Sequence, residues 1–140
     1  MYSSKAVLLT HDREFIHLCK NAGDKLDMKI EVLSDMVSFL LNLQDNDYRV
    51  MIIDCSQMDQ TSLKWIRVAK KIRPKVSLII YCHTVNQKLG GEIYDSGAFY
   101  ICESPVDQKL FQSILMAAKN AQITTINNHI DFTDKSSKQL

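Results

Sequence analysis

The sequence predicts an α/β domain in which a parallel sheet is covered by helices on both faces. Five short apolar runs alternate strictly with five amphipathic helical patterns along the chain. Because crossovers between parallel strands are right-handed, this alternation favours a doubly wound, three-layer sandwich. The chain has 140 residues, a length typical of one domain with its own core.

The five predicted strands are short runs of apolar residues, as expected for strands that are buried on both faces of a sheet. They cover residues 5–10, 29–33, 49–54, 76–82 and 99–102. The third run ends abruptly on a carboxylate, Asp54, and Gly97-Ala98 leads into the fifth. The candidate site residues of this sequence lie at or just after the ends of these strands.

Apolar residues at helical spacing follow each predicted strand. In chain order the stripes contain Phe15, Leu18, Cys19, Ala22 and Leu26; Met36, Val37, Leu40, Leu41 and Leu43; Leu63, Ile66 and Ala69; Val85, Leu89 and Ile93; and Phe111, Ile114, Leu115 and Ala118. We expect Ser34 to cap the second helix, Pro74 to end the third, and Trp65 to be a core or packing residue. Gly90 and Gly91 predict a weak or mobile fourth helix, since each costs roughly 1 kcal/mol relative to alanine.

Composition and charge argue against several classes of protein. The formal net charge is +1 with acidic and basic residues interleaved, so no basic face predicts nucleic-acid binding. The N-terminus lacks the apolar segment of a secretory signal, and no apolar run approaches the roughly 20 residues of a membrane-spanning helix. Four widely spaced cysteines without a CxxC pair indicate reduced thiols. We therefore expect a cytoplasmic protein that binds no membrane.

The predicted domain spans residues 1–122. Ile123, Ile126 and Ile130 continue a helical spacing beyond it, although the Thr and Asn pairs between them are poor helix formers. Residues 123–140 are therefore predicted to form a helical extension followed by a disordered polar tail.

Three features of the sequence are typical of a known family. Asp54 closes the third predicted strand, Gly97-Ala98 leads into the fifth, and Pro105 follows it. In these residues and their spacing, residues 5–120 resemble the CheY-like receiver domains of response regulators in bacterial two-component systems. The resemblance implies a flavodoxin-like fold with the strand order 2-1-3-4-5.

The same resemblance makes Asp54 the phosphoacceptor position. In receivers, an acidic pair after the first strand holds a Mg²⁺ ion that offsets the charge of the phosphoryl group. Here Thr10 and His11 occupy the positions of that pair, and only the next residue, Asp12, is acidic. Because Mg²⁺ prefers hard oxygen ligands, we expect no cofactor, or a weakly bound Mg²⁺ with Asp12 and Asp54 as its ligands.

Other positions that receivers use are also changed. Ser104 replaces the lysine that pairs with the phosphoryl charge, and Cys82 and Ile101 occupy the hydroxyl and aromatic switch positions. A shift of one residue would place Tyr100 at the aromatic position, but it would not restore the lysine. The resemblance also implies a cis peptide bond before Pro105. The chain is thus identified as a degenerate receiver.

Structural interpretations compete with the functional ones at both carboxylates. Asp54 could accept backbone amides in the loop that follows its strand. Asp12 could cap the first helix, a role that aspartate fills very often.

A metal or redox site is a further alternative, since several thiols and imidazoles lie at or near the edge of the sheet where ligands bind. They are His11, His83, Cys55, Cys82 and Cys102. Against this alternative, the alternation of strand side chains is expected to scatter neighbours to opposite faces. Free cysteine also tends to behave as a small buried apolar residue.

Three functions follow from these observations. The leading hypothesis is a stand-alone degenerate receiver that binds a protein partner or sensor kinase, or forms a homodimer, through the fourth helix, fifth strand and fifth helix. The second is a competent receiver in a phosphorelay, with Asp54 phosphorylated and Mg²⁺ bound. The third is a Cys/His metal- or redox-sensing module. We do not expect an enzyme, because the turn after the first strand has no glycines to hold a phosphate and no Gly-x-Ser-x-Gly motif occurs.

Overall fold

The computed structural model describes residues 2–56 and 62–121, in which strands and helices alternate. The elements are β1 (Ser4–Leu9), α1 (Arg13–Lys25), β2 (Met28–Leu33), α2 (Met36–Asp45), β3 (Val50–Asp54), α3 (Ser62–Ile72), β4 (Ser77–Cys82), α4 (Gln87–Asp95) and β5 (Tyr100–Glu103). A last helix, α5, is described over residues 108–121. The predicted strands agree with these bounds to within one residue at each end.

The five strands form one parallel sheet in the order β2-β1-β3-β4-β5. The predicted fold class and strand order are thus confirmed. In the central strand β3, Ile53 pairs with Leu9 of β1, and the last residue, Asp54, pairs with Tyr81 of β4. The carboxyl ends of these three strands therefore lie side by side at one edge of the sheet.

Each face of the sheet carries its own apolar core, because successive residues of a strand point to opposite faces. On one face, Ala6 and Leu8 of β1 pack with Phe15 of α1 and Phe111 of α5. The core on the other face joins the sheet to α2, α3 and α4, and it includes Val7, Leu9, Phe39, Leu43, Ile66 and Ile93. The predicted stripes of α1, α3 and α5 lie in these cores. The predicted stripe of α2 was partly wrong, since Val37 and Leu41 are exposed and Phe39 is buried instead.

Helix α2 has a different cap from the one that the sequence predicts. Asp35, not Ser34, is the N-cap residue, and its side chain accepts a hydrogen bond from the backbone N–H of Ser38 at 2.8 Å. Ser38 lies three residues after Asp35, which is the spacing at which an N-cap side chain meets a free N–H of the first turn.

Helix α4 forms in spite of its two adjacent glycines. Asn86 caps it and accepts a hydrogen bond from the N–H of Leu89 at 2.7 Å. Ile93 anchors the helix in the core, while Gly90 and Gly91 lie in its interior. The cap and this buried contact offset part of the cost of the glycines.

Trp65 is not a core residue, so the part of the prediction that placed it in the core was wrong. Its side chain is 42% exposed, whereas its neighbour Ile66 is buried against the sheet. Because successive residues of a helix are about 100° apart, Trp65 points away from the stripe that faces the core. An aromatic ring is thereby left on the surface of α3.

The predicted extension, residues 123–140, lies outside the described residues, and the domain boundary at residue 122 stays a prediction. Within residues 2–56 and 62–121, no helix has the length and apolar character needed to cross a membrane.

Candidate functional site

The candidate site lies at the carboxyl edge of the sheet, where β1, β3 and β4 end. Asp54 is the last residue of β3, and Thr10 directly follows β1. These two residues line an open cleft of about 420 Å³ together with His11, Asp12 and His83. Doubly wound folds bind their ligands at this edge. The structure therefore brings the predicted phosphoacceptor position together with the residues at the acidic-pair positions.

A second cleft, of about 510 Å³, lies at the opposite edge of the sheet, and its lining includes Lys5 and Arg73. Arg73 donates hydrogen bonds to three carbonyl oxygens at the C-terminal end of α2. Lys5 lies 3.6 Å from the carboxylate of Glu31. Arg49 and Lys75 also line this cleft. Because this edge carries the amino ends of the strands, we place the candidate site in the first cleft.

Both carboxylate oxygens of Asp54 accept hydrogen bonds from the protein. Oδ2 accepts one from the hydroxyl of Thr10 at 2.6 Å, and Oδ1 accepts one from the backbone N–H of Ser56 at 2.8 Å. The first bond is as short as bonds between a hydroxyl and a charged carboxylate usually are. Asp54 is partly buried, and these two donors fix its orientation at the end of β3.

Thr10 connects Asp54 to the start of α1. Its side chain is almost fully buried, with 4% exposure. Besides donating to Asp54, the hydroxyl accepts a hydrogen bond from the backbone N–H of Asp12 at 3.0 Å. A threonine hydroxyl has one proton to donate, and that proton is used here. A neutral side chain thus occupies the position where receivers carry a carboxylate.

Asp12 is the N-cap residue of α1. Its Oδ1 accepts a hydrogen bond from the backbone N–H of Phe15 at 3.1 Å. The hydroxyl of Tyr81 lies 3.5 Å from its other oxygen, and the ring of Tyr81 stacks on that of Phe15 at 3.9 Å between centroids. Burial raises the pKa of the Tyr81 phenol, so the phenol keeps the proton that it presents to Asp12.

The donor set at the strand ends does not fit a Mg²⁺ ion. Asp12 and Asp54 are the two carboxylates of the cleft, and each already accepts hydrogen bonds from the backbone. The Thr10 hydroxyl is committed to Asp54, and His11 offers nitrogen, which is a poor ligand for this ion. Across the described part of the chain, no group of three or more His, Cys, Asp or Glu side chains could hold a metal ion.

Ser104, at the lysine position, lines a different and smaller cavity of about 140 Å³, beside Asp12, Tyr81 and Pro105. The peptide bond between Ser104 and Pro105 is cis. The backbone N–H of Ser104 donates to the carbonyl of Cys82 at 3.0 Å, which ties this turn to the end of β4. Ser104 carries no cation to the cleft of Asp54.

The two switch positions face the other side of the sheet from Tyr81. Cys82 is 3% exposed and belongs to the core between the sheet and α2, α3 and α4. Ile101 is partly buried and packs against the same core. Neither side chain has a hydroxyl, and Ile101 has no hydrogen-bonding group at all.

The thiols and imidazoles at this edge do not form one cluster. Cys102 is buried in the core on the α1 and α5 face, whereas Cys82 belongs to the opposite core and Cys55 packs against it. His11 and His83 are exposed at the cleft. The predicted scattering of side chains therefore holds for Cys102, but it is wrong for Cys55 and Cys82, which share a face.

The sequence did not point to Tyr81 or Ser56. Ser56 contributes its backbone N–H, a group that every residue except proline has, so its type carries no signal. Tyr81 stands one residue before the predicted switch position and on the opposite face of the sheet. Its place beside Asp12 follows from the alternation of side chains along β4 and could have been recognised from that alternation.

Comparisons with solved structures agree on one fold. A CheY-like response regulator receiver domain protein from Methanospirillum hungatei has a TM-score of 0.76 at 12% identity, covering 87% of this chain and 98% of that one. A response regulator from Thermotoga maritima has a TM-score of 0.75 at 15% identity, covering 84% and 98%. An orphan response regulator of H. pylori has 0.74 at 10% identity, covering 84% and 97%. The chain has the receiver fold. No family model and no curated protein matches the sequence.

Exposed apolar residues of this receiver fold lie on two groups of elements. On α4, β5 and α5 they include Tyr94, Tyr100, Leu110 and Met116. On α2 and α3 they are Val37, Leu41, Trp65 and Val68. The first group lies on the elements predicted to dock a partner, and the second was not expected.

Proposed function

We propose that this chain is a degenerate receiver of two-component lineage that signals in the cytoplasm by binding a protein partner. In this proposal Asp54 is not phosphorylated, and the domain is not an enzyme. The observation that carries the proposal is that both oxygens of Asp54 are bonded to the protein itself, through Thr10 and the backbone of Ser56. The fold presents an aspartate as receivers do, but its surroundings satisfy the carboxylate without a metal ion.

The charges around the cleft also support this proposal. A phosphoryl group on Asp54 would add negative charge close to Asp12. Among the described residues that line the cleft there is no lysine or arginine to offset it. Attack by Oδ2 on a phosphoryl donor would also weaken its hydrogen bond from Thr10, because Oδ2 would become the bridging oxygen of an acyl phosphate, which is a weaker acceptor than a carboxylate. Transfer to Asp54 is therefore opposed by both charge and hydrogen bonding.

We place the partner on α4, β5 and α5. Tyr94 and Tyr100 expose aromatic rings there, and Leu110 exposes an apolar side chain at the start of α5. Tyrosine is enriched in protein interfaces, where one end of the side chain meets apolar groups and the other meets water. A sensor kinase, another protein or a second copy of the chain would cover these groups. Nucleic acid fits poorly, since the net charge is +1.

A phosphorylation assay tests the first part of the proposal. The protein and an Asp54→Asn variant are incubated with acetyl phosphate and Mg²⁺, and their intact masses are measured. We expect no phosphoryl adduct on either, while a receiver with a complete acidic pocket is modified under the same conditions. An adduct on the wild type that Asp54→Asn abolishes would replace the proposal with the alternative function, a phosphorylation-competent receiver.

Calorimetric titration with Mg²⁺ tests the absence of a resident ion. We expect no saturable binding to the wild type, because the cleft lacks a set of free carboxylate oxygens. The double variant Thr10→Asp, His11→Asp restores the acidic pair and is expected to gain Mg²⁺ affinity. Saturable binding to the wild type that Asp12→Asn weakens would contradict this part of the proposal.

Sedimentation equilibrium tests a second copy as the partner. Tyr94→Ser with Tyr100→Ser removes rings from α4 and β5, and Val37→Ser with Leu41→Ser is the matched control on α2. We expect the wild type to be a dimer. The variant with Tyr94→Ser and Tyr100→Ser should be a monomer, whereas the variant with Val37→Ser and Leu41→Ser should stay a dimer. Dimers that respond only to the control would move the interface to α2 and α3. A monomer at all concentrations would leave a different protein as the partner.

A further inference from the structure

Two cysteines stand next to each other where the central strands end. The pairing of β3 with β4 ends with Asp54 opposite Tyr81. The backbone N–H of Cys55 then donates to the carbonyl of Tyr81 at 2.7 Å, which continues the ladder by one residue. Cys55 is therefore the neighbour of Cys82 in the same parallel register.

Both side chains lie on the same face of the sheet. Cys82 belongs to the core between the sheet and α2, α3 and α4, and Cys55 packs against that core. Adjacent parallel strands are about 4.8 Å apart, which lies within the range of Cα separations, about 4.4–6.8 Å, that a disulfide can join. A hydrogen bond between the two thiols lowers the pKa of Cys82 and raises that of Cys55.

The two thiols differ in access to solvent. Cys82 is buried, whereas Cys55 is partly exposed. Cys55 also directly follows Asp54, and the N–H of the next residue, Ser56, is bonded to that carboxylate. The pair therefore combines a sulfur that small solutes can reach with a sheltered partner, beside the candidate site.

We propose that Cys55 and Cys82 are a redox-active dithiol, which a peroxide converts into an intramolecular disulfide. One sulfur attacks a peroxide oxygen as the thiolate, the O–O bond breaks, and the leaving hydroxide takes up the thiol proton as water. The sulfenic acid so formed is attacked by the second sulfur; the S–S bond forms, the S–O bond breaks and a second water leaves. Two electrons pass from the two thiols to one peroxide molecule.

Closing the disulfide would restrict the local structure. The strand spacing already lies within the Cα range of a disulfide, so closing the bond would fix the two Cβ atoms about 3.8 Å apart without requiring the strands to move together. Cys55 and Cys82 are at or just beyond the last ladder pair, where the strands are least constrained. The covalent link would restrict the backbone at Cys55, directly after Asp54. This proposal does not depend on whether Asp54 is phosphorylated.

The other two cysteines provide internal controls. Cys19 and Cys102 are buried in the core of the opposite face. Burial raises the pKa of Cys19, and it raises the pKa of Cys102 to about 12. Neither of these thiols is exposed and neither has a lowered pKa, whereas the pair has a lowered pKa at Cys82 and solvent access at Cys55, so peroxide should leave Cys19 and Cys102 unmodified in the folded protein.

Disulfide mapping of the full chain tests the proposal. Reduced protein is treated with hydrogen peroxide, alkylated under denaturing conditions and digested without reductant. We expect a loss of two hydrogen atoms per chain, a linked peptide pair containing Cys55 and Cys82, reversal by dithiothreitol, and alkylated Cys19 and Cys102. Cys55→Ser and Cys82→Ser should each abolish the link, while Cys19→Ala should keep it.

Circular dichroism of each variant checks that it is folded. If Cys82→Ser does not fold, Cys55→Ser, at the partly exposed position, gives the same test. Four free thiols in the treated wild type would overturn the proposal. A disulfide between any other pair of cysteines would overturn it as well. So would a disulfide that joins two chains while no bond forms between Cys55 and Cys82 of the same chain.

Discussion

Removing the Thr10 hydroxyl tests the bond that holds the end of β3. Thr10→Val keeps the shape of the side chain, but it deletes the 2.6 Å hydrogen bond to Asp54 and the acceptor for the backbone N–H of Asp12. We expect the variant to unfold at a lower urea concentration than the wild type, with the same dependence of the free energy on urea.

The size of the effect follows from the burial of the two partners. A hydrogen bond to a charged group contributes about 1.5–3 kcal/mol. Asp54 is only partly buried, so water can replace part of what its carboxylate loses, whereas Thr10 is 4% exposed. The expected loss in the free energy of unfolding is therefore about 1.5–2 kcal/mol. This corresponds to at least a tenfold change in the folding equilibrium.

A double-mutant cycle separates the hydrogen bond from other effects of the substitution. The four proteins are the wild type, Thr10→Val, Asp54→Ala and the double variant, each measured by urea denaturation. We expect a coupling free energy of about 1 kcal/mol between the two positions. Thr10→Ser is the control, since it keeps the hydroxyl and loses one methyl group, at a cost of about 0.8 kcal/mol.

Additive effects of the two substitutions, with a coupling below about 0.3 kcal/mol, would refute the reasoning. A Thr10→Val variant as stable as the wild type would refute it as well. In either case the 2.6 Å contact would not stabilise the end of β3, and the proposed function would lose its main support.

Three further predictions concern caps, packing and burial. Asp12→Ala should cost about 1 kcal/mol and Asp12→Asn much less in urea denaturation, because asparagine also caps helices. Gly23→Ala should destabilise by about 1–3 kcal/mol, because its Cβ would lie 2.6 Å from a backbone oxygen, whereas Gly91→Ala, in open space, should stabilise by about 1 kcal/mol. Burial raises the pKa of the Cys102 thiol to about 12. The stability that the buried neutral thiol contributes is therefore complete below its ordinary pKa of 9.0 and is lost as the pH rises toward 12. Between these pH values, Cys102→Ala should lose less stability than the wild type.

The strands could be predicted because each is buried on both faces of the sheet. Such strands appear as apolar runs that stop at the sheet edge, as at Asp54. The order of the strands is not contained in that alternation, and it came from the resemblance. Trp65 was placed wrongly because α3 has apolar residues on more than one side, so the pattern alone did not identify the buried stripe.

The contacts of the candidate site could be predicted only in part. Both structural interpretations of the carboxylates are seen, since Asp12 caps α1 and Asp54 accepts the N–H of Ser56. The bond from Thr10 to Asp54 depends on how β1 lies against β3, which a single sequence does not determine. The same reason applies to Cys55 and Cys82: alternation separates neighbours within a strand, but register decides which residues meet between strands.

The Thr10 hydroxyl has a consequence for how a cell could use this domain. A phosphoryl group is added and removed within the lifetime of a protein, whereas a threonine side chain is built in at synthesis and stays. Under the proposed function, phosphorylation would therefore not alter the end of β3 at any time in the life of the chain. A cell could then adjust the number of copies, through transcription, translation and turnover, and the oxidation state of Cys55 and Cys82.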